Sequence, residues 1–200
     1  MAITYPLTPP ASLKTASAQW TARTVVASTS SAFTGQQQVI AHQGEWWELQ
    51  IDIPATASRQ TADEIEAFII GLRGQLGTFT YGDKLRTLPR GTISTVANAA
   101  RAGGTGNVAG TSRLTIVTGQ GSFAVGDWFS VANQLHRVVQ VVNATNFEIF
   151  PKFRTTIPSL TVLTVVNPTG LFRLLDNPVI SYPKGKTYGP YTLTAREVVV

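Results

Sequence analysis

The chain has 200 residues, enough for one good-sized core or two small ones. It is 43% hydrophobic and only 14% charged, against about 25% charged in an average domain, and a mean hydropathy of +0.08 is that of a folded soluble protein. Sixteen Lys and Arg against 11 Asp and Glu give a scattered net charge of +5, which is no nucleic-acid footprint, and the lack of cysteine excludes disulfides and thiolate metal sites.

Residues 1–32 carry Pro6, Pro9 and Pro10, then the Ser/Thr/Ala-rich TVVASTSSAF. They read as an extended arm with one strand near Trp20 to Val26. The opening residues lack a basic segment followed by an apolar one, so no secretory signal is expected, and no window approaches the ~20 apolar residues of a membrane span. In FTGQQQVIAHQGEWWELQIDIP, residues 33–54, a glutamine-rich turn feeds a strand. Trp47, Leu49, Ile51 and Ile53 alternate there with Trp46, Glu48, Gln50 and Asp52, placing the first set on a core and the second toward water. Trp46 breaks the polar side, either packed on a neighbouring loop of the same fold or anchoring an interface.

A helix is predicted from Thr61 to about Gln75, with Thr61 and Glu64 as a capping box and Gly74 or Gly77 ending it. Ile65, Phe68, Ile69, Leu72 and Leu76 form one stripe that should lie on a sheet. Phe79 and Tyr81 alternate in a short strand before the turn at Gly82-Asp83. From Pro89-Arg90-Gly91 to Asn167 the chain reads as a small all-β unit, Ala/Gly-rich at 97–110. Its expected strands are Arg113 to Thr118, Trp128 to Ala132, Leu135 to Val142, Phe147 to Phe150 and Val162 to Val166, with turns at Asn133-Gln134 and Asn143 to Asn146. Such short, evenly spaced strands suit a small barrel or compact sandwich. After Asn167-Pro168-Thr169-Gly170 come a strand at Leu171 to Leu174, a loop at Pro183 to Pro190 holding Lys184 and Lys186, and a terminal strand at Tyr191 to Val199.

The expected fold class is therefore mainly β (α+β). Residues 1–88 and 168–200 form one discontinuous β-sandwich or barrel domain with one helix, and 89–167 form an inserted small barrel. A plain tandem of two domains is the alternative.

Chemistry finds little footing. His42 and His136 have no metal-ligand or triad spacing, and no nucleophile elbow, phosphate loop or dinucleotide fingerprint occurs. Asp52, Asp63, Glu64 and Glu66 are accounted for around the helix start, and Asp83, Asp127 and Asp176 at turns. No catalytic residue, metal or cofactor is expected, which leaves an enzyme as the weakest class. Two binding readings remain. One is a small barrel that takes single-stranded nucleic acid or carbohydrate on Trp128, Phe129, Phe147, Phe150 and Phe153 with Arg137, Lys152 and Arg154; the three phenylalanines 129, 147 and 150 compete as core. The other is a structural assembly module, favoured by the low charge, the extended arms and the long loops.

The order FTGQQQV, GEWWELQIDIPATASRQTADEIEAFIIGLRGQLGTFTYGD, PRG, FEIFPKFR and NPTGLFRLLDN resembles the distal tail proteins of long-tailed (siphovirus-like) bacteriophages, over residues 33–91 and about 147–198. The resemblance implies a belt domain with one helix that closes a homohexameric ring at the tail tip of the virion, assembled in the cytoplasm of the host bacterium. It also implies contacts with the tail tube, tape-measure and hub proteins, and an open lumen through which DNA passes without specific binding. Members with a large carbohydrate-binding domain differ from this chain, which has only the insert. The expected ring or partner contacts are Gln36, Gln37, Gln38, Trp46, Arg73 and Tyr81, with Lys184, Lys186 and Tyr188 on the late loop.

Overall fold

A computed structural model describes residues 3–104, 107–182 and 187–199. Among them are nine strands and one helix: β1 (Ser17–Ser30), β2 (Gln37–Ile53), α1 (Arg59–Gly71), β3 (Phe79–Tyr81), β4 (Arg113–Thr115), β5 (Trp128–Val131), β6 (Gln134–Val141), β7 (Asn146–Phe150), β8 (Gly170–Leu174) and β9 (Tyr191–Glu197). The fold is mainly β with a single helix, as the alternating pattern predicts. One sheet runs β1-β2-β9-β8-β3 and draws its strands from both ends of the chain, while the other, β4-β7-β6-β5, comes from the middle.

The period-two reading of β2 holds residue by residue. Trp47, Leu49, Ile51 and Ile53 are buried, and Trp46, Glu48, Gln50 and Asp52 are half-buried on the other face. α1 lies over the core face, burying Ala62, Ile65, Phe68 and Ile69, with Leu72 just past its end. Each of the larger four is worth about 1.5–3 kcal/mol relative to exposure. Phe68 meets Phe79 edge-on at 5.9 Å.

The helix ends differ from the predicted ones. Ser58, in extended conformation, is the N-cap, and its side chain accepts from the Thr61 amide at 3.3 Å. Thr61 thus lies inside the first turn, and Glu64 instead accepts from the Ser12 hydroxyl and the Gln60 amide. At the other end Arg73 (φ 50°) and Gly74 (φ 63°) turn left-handed, so the helix stops four residues before Gln75. Leu76 leaves the stripe and is exposed.

The four-stranded sheet curls, and single bridges complete its circuit of hydrogen bonds. Ser130 on β5 exchanges two bonds with Thr164, the Thr161 and Leu163 backbone bonds to Ala102 and Ala100, and Ala102 bridges Ile116 beyond β4. The expected strand at Val162 to Val166 is thereby reduced to bridge partners, because it meets each neighbour at one or two residues. Phe123, Phe129, Phe147, Phe153 and Leu163 fill the centre.

Sheet and barrel share a wall. Trp128 and Leu135 of the barrel belong to the sheet's core, where Trp20, Trp47 and Trp128 converge with centroids 4.9–6.1 Å apart. Trp47 Nε1 donates to the Leu135 carbonyl at 3.0 Å. The contact is close enough to require Gly170, since a Cβ there would lie 2.8 Å from that of Leu135. The chain leaves this sheet after β3 and returns at β8 along adjacent paths, with the Asn167 amide donating to the Thr87 carbonyl at 2.7 Å.

Candidate assembly surface

β1 and β2 pair from Ser17↔Asp52 to Ser30↔Gln37, through an irregularity between Thr24 and Val26. β9 supports β2 only from Glu48 to Ile53. Glu45, Trp46 and Trp47 are still held, by Lys152 and Arg154, Arg196, and Glu197 respectively; beyond Gln43 the two strands continue as a free ribbon that ends in the loop Ser31–Gln36, where Gly35 (φ 68°) makes the turn. Thr, Val and Ile, at home in strands, keep the ribbon extended, yet nothing among the described residues covers it. Val25, Val26, Phe33, Val39 and Ile40 are exposed, Phe33 completely. The outer edge of β1 and the edge of β2 before Glu48 pair with no other named strand. At the opposite border of the sheet Leu7 bridges Phe79 and caps the edge of β3, so one edge is guarded and the other left open.

Gln36, Gln37 and Gln38 are brought together at the ribbon tip, lining with Thr29, Ser30 and Ser31 a concavity of about 540 Å³. The reading of all three as a turn needs correcting: Gln37 and Gln38 already belong to β2, paired with Ser30 and Thr29. Trp46 is not with them; it stands nine residues back along the strand, roughly 30 Å at about 3.3 Å per residue. Its ring is half-buried under the Arg196 guanidinium at 3.9 Å, and its Nε1 donates to Glu48 at 3.3 Å. Partial burial of Glu48 opposes its ionisation, but hydrogen bonds from Arg23 and Trp46 and the charges of Arg23 and Arg196 outweigh that and hold it below the usual carboxylate range.

The other expected contacts scatter. Arg73 is exposed at the turn after α1. Tyr188 is half-buried, bridged to Thr56 through two backbone bonds of 2.8 and 2.9 Å. Tyr81 is 1% exposed, beside Trp20 and with its hydroxyl 3.0 Å from that of Thr15, so it is a core residue and no surface contact. The two-residue alternation with Phe79 puts both on the core face. Lys184, Lys186 and Pro183 lie outside the described residues.

The aromatic platform considered for the barrel does not form, because Trp128, Phe129, Phe147 and Phe153 are buried and Phe150 packs against Trp47 at 4.9 Å. Arg137 sits over Trp128, Lys152 pairs with Glu45 at 3.3 Å and Arg154 with Glu197 at 2.6 Å. His136 is fully enclosed, stacked on Phe129 with Nδ1 2.8 Å from the Pro151 carbonyl; burial lowers its pKa to about 3. Among the described residues no three His, Asp or Glu side chains converge as metal ligands, and no helix is long and apolar enough to cross a membrane.

The ribbon itself escaped the sequence reading, which saw a short strand and a turn. The signal was present in TVVASTS and QQVIAHQ, two runs of strand-forming residues flanking a short loop with one glycine. No protein-family model matches this chain, and no match is found among curated proteins.

Proposed function

We propose that this chain is a ring-forming distal tail protein of a phage tail tip, joining the tail tube to the hub around a lumen for DNA. The observation that carries the reading is the uncovered β1–β2 ribbon, with exposed Val25, Val26, Phe33, Val39 and Ile40 and two unpaired strand edges. A two-stranded ribbon is marginal alone in water, and its apolar side chains and open edges are relieved when a neighbour covers them. The two edges are different surfaces of one subunit, which is what a closed ring built from head-to-tail contacts requires. The resemblance of the motif order to that of distal tail proteins suggests the biological setting.

Electron microscopy and light scattering of the purified chain test the assembly. A closed ring is expected for the wild type, and a monomer of unchanged melting temperature for Val39→Ser with Ile40→Asp, since both side chains are already exposed. A wild type that stays monomeric at all concentrations overturns the ring. Antibody against the chain should decorate the tip of a phage tail; labelling elsewhere on the particle would place it in another role.

A further inference from the structure

On the water-facing side of the five-stranded sheet, Arg173 of β8 stands directly opposite Arg196 of β9. Opposite residues of an antiparallel ladder share a face, and like charges so placed are destabilising. Phe172 and Leu174, and Ala195 and Glu197, point to the buried side, so both arginines face outward. Neither has a carboxylate within 4.0 Å among the described residues. The acid nearest in register, Glu48 opposite Arg196, is committed to Arg23 at 2.7 Å and to Trp46. Arg196 is nevertheless held in place by the Trp46 ring 3.9 Å below it, which reduces the freedom it would lose on meeting a partner. The two arginines border a cleft of about 340 Å³, with Gln75, Leu175, Val198 and Val199 on its other sides.

We infer that Arg173 and Arg196, with Trp46 beside them, form a docking point for an acidic side chain of a partner protein. A planar guanidinium grips a carboxylate through two parallel bonds, and aromatic and arginine side chains together are the usual anchors of protein contacts. Charge complementarity favours such a partner over another copy of this chain, which itself carries +5. Nucleic acid fits less well, because Glu48 and Asp52 lie on the same face of β2 and two arginines fall short of the many phosphate contacts that duplex binding sums. The inference does not rest on ring assembly.

The test uses the full chain, a fluorescein-labelled Glu-Thr repeat peptide and a labelled DNA duplex, read by anisotropy at low and physiological salt. The peptide is expected to bind and to raise the melting temperature. Arg173→Gln with Arg196→Gln should weaken it roughly tenfold or more, the scale of one charge-assisted pair, while Arg113→Gln on the barrel leaves it unchanged. Removing the like charges offsets the loss of Arg196's stacking on Trp46, so the double variant should melt within a few degrees of wild type, which separates a lost site from a lost fold. Peptide binding that is absent or insensitive to the double variant overturns the inference. So does a preference for the duplex, or a self-association that the same variant abolishes. Ring formation, read separately by light scattering, can fail without touching either arm.

Discussion

Glu197 Oε2, on the last strand, lies 2.6 Å from Arg154 Nη2, at the seam where the barrel meets the sheet. The same carboxylate accepts from the Leu135 amide at 2.9 Å and the Trp47 amide at 3.4 Å, and Arg154 also donates to the Val198 carbonyl at 3.1 Å. One buried group therefore ties β2, β6, β9 and the segment after β7. Arg154→Ala leaves that carboxylate without its cation and should cost about 3–5 kcal/mol in urea unfolding.

Burial pushes the Glu197 carboxyl above its ordinary value of 4.5, against the pull of Arg154 and the two backbone donors. Between that value and the raised native pKa, the folded chain holds a proton that the unfolded chain has released. The contribution is full below about pH 4.5 and is lost as pH rises through the native pKa. Urea midpoints of wild type should accordingly fall relative to Glu197→Gln as pH climbs from about 4 to 8; a constant difference would contradict the shift.

The corrected helix start separates two substitutions. Ser58→Ala removes the side chain that accepts from the Thr61 amide and should cost about 1 kcal/mol. Thr61→Ala keeps that amide and should cost less. Thermal unfolding of the two variants decides which residue caps α1.

Asp127 is 5% exposed and accepts from three backbone amides, Arg90 at 2.7 Å, Gly91 at 3.0 Å and Ala124 at 2.8 Å. It pins the segment entering the barrel to the turn before β5. Asp127→Asn presents an amide to donors and should lower stability by about 2–3 kcal/mol, measured by denaturant unfolding.

The neighbouring tryptophans should part company. Trp47→Ala empties a site shared with Trp20, Trp128 and Phe150 and should cost about 3–5 kcal/mol. Trp46→Ala loses a half-exposed cation–π contact, about 1 kcal/mol or less, and should instead weaken acidic-peptide binding.

Much of this was legible where local geometry decides. Trp47, Leu49, Ile51 and Ile53 alternate because a strand turns successive side chains to opposite faces. Ile65, Phe68, Ile69 and Leu72 share a stripe because a helix repeats every 3.6 residues. Boundaries were less legible. Thr61 with Glu64 matches a cap as well as Ser58 with Thr61 does, and only the backbone conformation at Ser58 chooses between them.

The fold class, the places of most strands, and the opposite fates of Trp46 and Trp47 could be read along the chain, since each follows from a period written into a few consecutive residues. Only the folded arrangement showed that bridges complete the barrel's circuit, that β1 and β2 run out as an uncovered ribbon, and that Arg173 faces Arg196. Those outcomes depend on which strand lies beside which and in what register. Register joins residues far apart in the chain, and no local pattern carries that information.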